Sequence, residues 1–378
     1  MNPYQKSPVK KINILFLVST FKVSGPINIV YGIIKNLDLK IFNISILTLS
    51  KEENDSMIEL FEKLDIKILT LNLSRIQGAL KNRGKVQLIV DRFSIDIVHS
   101  HGFRADKINS KLKNVISIST IHNFPREDYL MKYGKVKGKI MEINHKNTVK
   151  DIAKPIACSK TISDKFKSNY GIRISFIQNG IDIEAFKNSN RSKNELKKEL
   201  GLPLNKYIFI VSGSLIVRKD PYTILKAFNQ LENSNWFLIF IGDGELYDKL
   251  VENTRNKNIK FYGNVSNVID YLKASDFYLS TSISEGLPNS VLEAMSVGLP
   301  PILSNIQSHT EIVGEKYDYL IRVNDYDDLS NKIDKITYDD YDKLSTKSSK
   351  TVEENFTSTL MSKKYQEKYI ALCQNLEN

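Results

Sequence analysis

Short apolar runs alternate with longer amphipathic stretches along the first half of the chain. The amphipathic stretches have the helical period and predict helices near residues 26–37, 55–64, 77–93 and 104–113. The apolar runs predict buried strands near residues 12–18, 44–49, 66–69, 96–100 and 115–120. Strands separated by helices in this way form parallel sheets, so the pattern predicts the α/β class.

The same alternation returns in the second half, after a turn-rich segment at 178–184 and a polar run at 187–198. Its strands are predicted near residues 207–212, 236–241, 259–262, 277–280 and 302–304. A length of 378 residues is enough for two cores. We therefore predict two domains, residues 1–178 and 179–358, with a boundary in the turn-rich segment.

Composition narrows the class of protein. Hydrophobic residues make up 41% and charged residues 26% of the chain, and no stretch reaches the roughly 18 apolar residues of a membrane-spanning helix. The two cysteines, Cys158 and Cys373, have no metal-type spacing and suit a reducing cytoplasm. Residues 1–180 contain 30 Lys and Arg against 15 Asp and Glu, whereas the remainder contains 24 against 28. This basic first half predicts an anionic partner for one domain.

The stretch Ser284–Ser304 carries the clearest candidate chemistry. Gly286 and Pro288 break the preceding structure and predict a helix from Asn289 to Val297, whose unpaired N–H groups attract an anion such as a phosphate. Glu285 stands just before this helix and Glu293 about two turns into it; both carboxylates accept well from the vicinal hydroxyls of a ribose or a sugar. The alternative is an ordinary loop–helix–strand unit with two surface glutamates.

Two further loops follow predicted strands, where ligands bind in open α/β sheets. Gly25 allows a backbone to approach a phosphate, or simply makes a tight turn into a helix. Arg218 and Lys219 follow the turn at Gly213 and Ser214, and such a basic pair clamps a diphosphate or remains a solvated surface pair.

Histidines end two predicted strands of the first half and support a different function. His99 and His101 are two residues apart on one strand and point the same way, and His122 ends the next strand. Together they are a candidate zinc or iron site of a metal-dependent hydrolase.

The segment 131–150 is predicted to be a basic amphipathic helix. Tyr133, Val136, Ile140 and Ile143 repeat at helical spacing. One interpretation packs this apolar stripe on the sheet; the other lays the helix on an anionic membrane surface, and both can hold together. No nucleic-acid-binding signature is present, so no nucleic-acid partner is expected. The lysines expected to face lipid phosphates are Lys132, Lys135, Lys139 and Lys146.

Taken together, these residues resemble glycosyltransferase family 4, retaining nucleotide-sugar enzymes of the GT-B fold. The segment from Glu285 to Met295, which reads EGLPNSVLEAM, is similar to the family's E-x7-E motif. Asp96–His101, Thr120–His122, Gln178–Asp182 and Ile241–Gly244 are similar to weaker family patterns in the expected order.

The resemblance implies two facing Rossmann-like domains with a cleft between them, an N-terminal acceptor domain and a C-terminal donor domain, with a last helix near 359–378 packing back on the first domain. Glu293 would hold the ribose hydroxyls, Glu285 the hydroxyls of the donor sugar, Lys219 the phosphates, and His122 would lie near the transferred sugar. Arg218 would act where the family's usual arginine is replaced by Ser214. The remaining donor-binding positions implied are Gly25, Gly213, Gly286, Leu287, Pro288, Asn289, Ser290 and Val291.

The function expected from this resemblance is transfer of a hexosyl group from a nucleotide sugar, with UDP as the expected nucleotide, to a lipid-linked saccharide in cell-surface polysaccharide biosynthesis. No metal cofactor is expected, and the enzyme is expected in the cytoplasm at the inner face of the cell membrane. Two alternatives remain open: the metal-dependent hydrolase, and a catalytically inactive protein that only binds sugar nucleotides.

Overall fold

The computed structural model describes residues 11–52, 55–73, 77–187, 191–231, 235–336 and 341–374. They belong to two compact units, Met1–Gly180 with Ser358–Asn378, and Ile181–Thr357. Each unit is built on its own parallel sheet with helices between the strands. The predicted α/β class is confirmed.

Unit 1 has a seven-stranded sheet in the order β3-β2-β1-β4-β5-β6-β7, and every pairing is parallel. Its elements are β1 Ile12–Val18, α1 Gly25–Lys35, β2 Phe42–Thr48, α2 Ile58–Glu62, β3 Lys67–Thr70, α3 Gln77–Arg92, β4 Ile97–His101, α4 Phe103–Asn109, β5 Ile116–Ile121, α5 Pro125–Asp151, β6 Lys154–Ala157, α6 Lys160–Tyr170 and β7 Ser175–Phe176.

The central strands β1, β2, β4 and β5 are buried on both faces, which explains why they are apolar runs rather than alternating ones. Successive side chains of a strand point to opposite faces. Phe16 of β1 packs in the cluster that includes α1, whereas Leu15 and Leu17 pack in the cluster that includes α3 and α4.

The C-terminal helix, Ser358–Gln374, lies in unit 1 and packs on α1. Tyr365 and Tyr369 are buried in the cluster formed with α1. The Ser362 hydroxyl donates to the carbonyl of Ile33 at 2.8 Å. Gly32 permits this approach, since a Cβ there would lie 3.1 Å from the Cβ of Ser358.

Unit 2 has a six-stranded parallel sheet in the order β10-β9-β8-β11-β12-β13. Its elements are α7 Ile183–Lys187, α8 Lys193–Glu199, β8 Tyr207–Ser212, α9 Pro221–Gln230, β9 Trp236–Ile241, α10 Tyr247–Glu252, β10 Ile259–Gly263, α11 Val268–Ala274, β11 Phe277–Ser280, α12 Asn289–Ser296, β12 Pro301–Ser304, α13 Gln307–Val313, β13 Leu320–Ile321, α14 Tyr326–Asp334 and α15 Tyr341–Asn355; the C-terminal helix of unit 1 is α16.

The apolar stripe of helix α5 is exposed, contrary to the interpretation that packs it on the sheet. Val136, Ile140 and Ile143 are 78%, 57% and 42% exposed, so the prediction that this stripe packs on the sheet is wrong for these three residues. The buried face instead carries Gly138, Glu142, His145, Thr148 and Val149. The backbone departs from helical geometry at Gly134, where φ is +74°. Among the described residues, no helix is both long and apolar enough to cross a membrane.

Candidate active site

The candidate site of unit 2 forms where two loops meet at the carboxyl ends of β8 and β11. A short 3₁₀ helix, Val217–Lys219, follows β8. The N–H of Ile283 donates to the carbonyl of Arg218 at 2.9 Å, and the Thr281 hydroxyl donates to that of Asp220 at 2.7 Å. These hydrogen bonds hold the basic pair against the loop that carries Glu285.

The carboxylate of Glu285 is the centre of this site and is only 6% exposed. Its Oε2 lies 2.5 Å from Nη1 of Arg218, and its Oε1 lies 2.7 Å from Nζ of Lys219. The Ser282 hydroxyl donates to the same Oε1 at 2.9 Å. Arg218 also donates to the carbonyl of Ser284 at 2.7 Å, so its guanidinium is fixed by backbone as well as by charge.

Two cations around one buried carboxylate determine its charge. Burial alone raises the pKa of Glu285, but the charges of Lys219 and Arg218 and their hydrogen bonds outweigh it and hold the pKa well below its usual range. Glu285 is therefore ionised at any working pH, and the three side chains together carry a charge of +1.

Glycines bring the loop after β8 close to the loop after β9. The N–H of Gly213 donates to the carbonyl of Ile241 at 2.9 Å. A Cβ on Gly242 would lie 2.0 Å from the carbonyl oxygen of Gly213, and φ of Gly242 is +123°. The Gly242–Gly244 turn thus needs glycine to fit under the loop that exposes Gly213 and Ser214.

Helix α12 begins directly after the loop of Glu285, and Pro288 at its N-cap provides no side-chain cap. The N–H of Val291, predicted to face a phosphate, already donates to the carbonyl of Pro288 at 3.2 Å. Tyr278 supports the helix start, because its hydroxyl is hydrogen-bonded to the side chain of Ser290 and donates to the carbonyl of Ser212 at 3.2 Å. The predicted positions Gly286, Leu287 and Asn289 lie at this start.

Glu293 lies just over one turn into α12 and differs from Glu285 in its charge. The surroundings of its carboxyl exclude enough solvent to raise its pKa to about 7, against the opposing charge of Lys219. Among the described residues its carboxyl has no ion-pair or hydrogen-bond partner. The two glutamates therefore differ in charge, one always ionised and one near its midpoint at neutral pH.

The two remaining predicted residues lie in unit 1, each at the carboxyl end of a strand. Gly25 begins α1 after β1. His122 follows β5, and its Nε2 lies 3.0 Å from Nδ1 of buried His101. Burial lowers the pKa of His122 to about 4, against the charge of Asp106, and burial also holds the pKa of His101 well below its usual range. Both rings are neutral at pH 7, so His122 is available as a hydrogen-bonding group rather than as a cation.

The geometry does not support the metal-dependent hydrolase. Both ring nitrogens of His99 are hydrogen-bonded, Nδ1 to Tyr369 at 2.7 Å and Nε2 to Thr120 at 2.8 Å. Within the part of the chain that the structure describes, no three His, Cys, Asp or Glu side chains are grouped as a metal ion requires. His99 instead ties β4 to β5 and to α16, and His101 pairs with His122.

Sequence reasoning missed the residues behind Glu285. His309 of α13 is fully buried and reaches the oxygens of Ser280 and Ser304, which lie beside Ser282. A single histidine eight residues after Pro301, away from any glycine-rich turn, carries no local signal of this contact. A cavity of about 510 Å³ lies away from this site, at the amino-terminal edge of the sheet of unit 1. Its lining includes Lys11, Asn43 and Lys67.

Two family models match the chain. The model described as "Glycosyltransferase Family 4" matches residues 30–185, and the model described as "Glycosyl transferases group 1" matches residues 192–355. The UDP-Gal:alpha-D-GlcNAc-diphosphoundecaprenol alpha-1,3-galactosyltransferase of Escherichia coli is 30% identical over 294 residues, which cover 72% of this chain and 74% of that protein.

Other relatives extend over nearly the whole chain. The O-antigen biosynthesis glycosyltransferase WclY of Escherichia coli is 26% identical over 372 residues, 95% of this chain and 98% of that protein. The crystal structure of Anabaena HepE in complex with UDP-glucose matches with a TM-score of 0.78 at 17% identity, covering 95% of this chain and 100% of that one. At this identity the likeness to HepE shows a shared fold.

Proposed function

The chain belongs to the family 4 glycosyltransferases, which have the GT-B fold, and from this premise we propose that it is a retaining enzyme moving a hexosyl group from a UDP-sugar to a lipid-linked saccharide. The acceptor would be a precursor of a cell-surface polysaccharide. The cluster of Glu285, Arg218 and Lys219 at the start of α12 is the observation that carries this proposal.

The cluster has the charge that a departing diphosphate needs. Its net charge of +1 lies next to a helix start, where backbone N–H groups and the helix dipole also favour an anion. Lys219 has 22% of its side chain exposed, so it can reach a ligand without leaving the loop. Stabilising charge that develops on a leaving group is typically the largest contribution to such catalysis.

In the proposed reaction the bond between the anomeric carbon and the diphosphate oxygen breaks, and the acceptor oxygen bonds to the same face of that carbon. The acceptor hydroxyl gives its proton to the departing diphosphate, so no protein base is required. Lys219 and Arg218 stabilise the diphosphate, Glu285 holds sugar hydroxyls, and His122 lies near the sugar as a neutral hydrogen-bonding group. The two facing domains and the cleft between them belong to this proposal.

Glu293 is assigned to the nucleotide. An ionised carboxylate accepts from both hydroxyls of a ribose, and Gly213, Ser214 and the turn at Gly286 would approach the diphosphate through their backbone. A uridine nucleotide is supported by the donor named for the Escherichia coli galactosyltransferase and by the UDP-glucose bound to HepE.

The acceptor assignment rests on the relatives and on charge. The galactosyltransferase is named for a diphosphoundecaprenol acceptor, and other relatives are named for O-antigen and capsular polysaccharide biosynthesis. A polyprenyl diphosphate is anionic and lies at a membrane surface. The excess of basic residues in unit 1, which includes β1 to β7, suits such an acceptor.

We also propose that α5 places the enzyme on the inner face of the cell membrane. Its outward face exposes Val136, Ile140 and Ile143, an arrangement that water alone does not favour. Basic residues beside an exposed apolar row suit an anionic bilayer, where lipid tails take the apolar side chains and phosphates take the ammonium groups. The lysines of this surface are Lys132, Lys135, Lys139 and Lys146.

The donor site is tested by thermal stabilisation with UDP-glucose, UDP-galactose, UDP-N-acetylglucosamine and GDP-mannose. A donor at 100 times its dissociation constant should stabilise the protein by roughly 2.7 kcal/mol. UDP release from that donor should fall strongly in Glu285→Ala while UDP binding persists. Stabilisation without UDP release, with or without lipid-linked acceptors, would favour the inactive sugar-nucleotide-binding protein, and no stabilisation by any donor would contradict the proposal.

The membrane proposal is tested by sedimentation with vesicles containing phosphatidylglycerol. Replacing Val136, Ile140 and Ile143 by Ser should abolish the binding that survives high salt. Replacing Lys132, Lys135 and Lys146 by Gln should remove part of the salt-sensitive binding, about 1 kcal/mol per lysine, and Lys139 is left in place because it pairs with buried Glu142. Leu88, which is 69% exposed on α3, provides the matched control Leu88→Ser. Equal losses in the control and the α5 variants would contradict a specific face.

A further inference from the structure

His101 and His122 form a pair of imidazole rings at the carboxyl ends of β4 and β5. Nδ1 of His101 lies 3.0 Å from Nε2 of His122, and the ring centroids are 5.3 Å apart. His101 is buried, whereas His122 is half-buried, so the pair connects the interior of unit 1 with its surface. The thiol of Cys158 donates to the carbonyl of His122 at 3.3 Å and fixes the backbone beside that ring. The proposed reaction uses His122 but gives no role to His101.

The contact with His101 determines which ring nitrogen of His122 is left for a ligand. Nε2 of His122 faces His101, so the other nitrogen, Nδ1, is the one that remains. Among the described residues, Nδ1 of His122 has no hydrogen-bond partner. Rotating the ring to exchange the two nitrogens would break the bond to His101. A sugar bound beside His122 therefore meets Nδ1.

A single hydrogen lies between the two rings. Burial lowers the pKa of His122 to about 4 and holds the pKa of His101 well below its usual range, so both rings are neutral at pH 7. Each neutral ring carries one hydrogen on its nitrogens. In one arrangement His101 donates from Nδ1, and His122 then carries its own hydrogen on Nδ1. In the other arrangement His122 donates from Nε2, and its Nδ1 is a bare acceptor.

The far side of the His101 ring distinguishes these two arrangements. Nε2 of His101 is buried and has no hydrogen-bond partner in the part of the chain that the structure describes. If His122 donated, this nitrogen of His101 would carry a hydrogen that no acceptor receives. Unpaired buried N–H groups are rarer in native proteins than unpaired acceptors, so the arrangement in which His101 donates is favoured.

We propose that His101 is a positioning residue of the transferase, which holds His122 with its hydrogen on Nδ1 and so presents a hydrogen-bond donor to the transferred sugar. This inference rests on the position proposed for His122. A donor at Nδ1 suits a lone pair of a sugar oxygen. An N–H has no lone pair with which to take the proton of the acceptor hydroxyl, which agrees with the transfer of that proton to the departing diphosphate.

Nuclear magnetic resonance of the ring nitrogens tests the position of the hydrogen directly. The chain has five histidines, so labelling them with the heavy nitrogen isotope gives a spectrum that can be assigned. Correlation with the ring protons distinguishes Nδ1 from Nε2 and a nitrogen that carries hydrogen from one that does not. The signals lost in His122→Ala identify His122. We expect its hydrogen on Nδ1 in the free wild-type protein at pH 7, and a hydrogen on Nε2 would overturn the proposal.

Two substitutions of His101 separate its hydrogen bond from its packing. Phe keeps a flat ring but can neither donate nor accept, so His122 is no longer held in one tautomer. Asn places an amide nitrogen near the position of Nδ1 and can still donate. We expect His101→Phe to lower kcat for UDP release from the donor sugar by about tenfold, the effect of one lost hydrogen bond. His101→Asn should retain most of the turnover, and the dissociation constant for UDP should be unchanged in both variants.

His145→Phe is the matched control for these substitutions. His145 is buried in the same unit, and its Nδ1 lies 2.9 Å from the hydroxyl of Tyr129. The control should lower the melting temperature, whereas kcat and the position of the hydrogen on His122 should remain as in the wild type. A loss of kcat in His145→Phe equal to that in His101→Phe would contradict the positioning role.

The outcomes separate this inference from the proposed function. The spectrum is recorded on the free protein, so it tests the hydrogen on His122 even if the protein releases no UDP from any donor. Unchanged kcat in His122→Ala would contradict the position of His122 beside the sugar. A loss in His122→Ala with normal kcat in His101→Phe, or equal losses in His101→Phe and His101→Asn, would contradict only the role of His101.

Discussion

The pKa of Glu293 predicts that binding of a UDP-sugar depends on pH and that this dependence disappears in Glu293→Gln. The carboxyl has a pKa of about 7 in the free protein. The ribose hydroxyls donate to the ionised form, so binding selects ionised Glu293 and releases a proton wherever the free carboxyl is protonated. Affinity should therefore increase as the pH rises through 7 and level off above it.

The size of the effect comes from the ionised fraction. With a pKa of about 7, that fraction is roughly one tenth at pH 6 and nine tenths at pH 8, so the dissociation constant should fall about tenfold between them, or about 1.4 kcal/mol. The donor does not contribute, since the diphosphate of a nucleotide sugar is fully ionised throughout this range. Glu285 does not contribute either, because its pKa lies well below it.

Isothermal titration calorimetry at pH 6, 7 and 8, in buffers of different ionisation enthalpy, measures both the affinity and the released proton. Glu293→Gln should bind the donor more weakly than the wild type, by a factor that is about ten times larger at pH 8 than at pH 6, and with no proton release. A wild-type affinity that is flat from pH 6 to pH 8, or proton release that persists in Glu293→Gln, would refute the assignment of Glu293 to the ribose.

The raised pKa of Glu293 also predicts how the stability of the protein depends on pH. Between the ordinary pKa of 4.5 and a pH of about 7, the folded state keeps a proton on Glu293 that the unfolded state loses. The free energy of unfolding of the wild type therefore falls as the pH rises through this window, and the whole decrease is present above it. Glu293→Gln avoids that cost and should be more stable than the wild type at pH 8, by at most about 3 kcal/mol, but not at pH 4. Urea denaturation of both proteins at pH 4 and at pH 8 measures this effect. A stability difference between variant and wild type that is the same at both pH values would contradict the prediction.

Two further predictions concern structural contacts of unit 2. Gly242→Ala should lower the melting temperature and weaken donor binding together, since its Cβ would lie 2.0 Å from the Gly213 carbonyl oxygen; normal donor binding would show that the loops adjust. Asp276→Asn should cost about 3–5 kcal/mol in urea denaturation, because it leaves buried Lys197 and half-buried Lys193 without their shared carboxylate, and a cost below 1 kcal/mol would contradict this.

The fold could be predicted from the sequence because its signals are local. The run Ile12–Val18 and the runs 207–212 and 236–241 are buried strands with the predicted bounds, since strands covered on both faces have no polar positions to blur their ends. Pro288 likewise marks the start of α12, because proline fits the first turn and ends what precedes it.

The orientation of α5 could not be predicted, because helical spacing identifies an apolar stripe but not the side that packs. Gly138 turns inward because a Cβ there would lie 2.5 Å from the carbonyl oxygen of Tyr129. Glu142 is tolerated on the buried face because the hydroxyl of Tyr170 donates to it at 3.0 Å and Lys139 pairs with it at 2.9 Å. Polar residues with partners supplied by distant elements reverse the usual rule that the apolar face is inside.

The pairing of Arg218 with Glu285 in the candidate site could not be predicted from the sequence either. The two residues are 67 positions apart, and their contact depends on the hydrogen bonds that join the loops after β8 and β11. The sequence contains both residue types but no local pattern that relates them. The contact of His309 with Ser280 is missed for the same reason, since the two side chains meet only when β11 and β12 lie side by side.

The contacts of Arg218 matter because Ser214 stands where the family usually has an arginine. An arginine there would approach a diphosphate as an independent cation, whereas the guanidinium of Arg218 is held by Glu285 and by the carbonyl of Ser284. On the proposed assignment, Arg218 and Lys219 both pair with Glu285 and act on the diphosphate through the net charge of the cluster. The cluster keeps its net charge of +1 without an arginine at Ser214, and Glu285 stays ionised and fixed for the sugar at the same time.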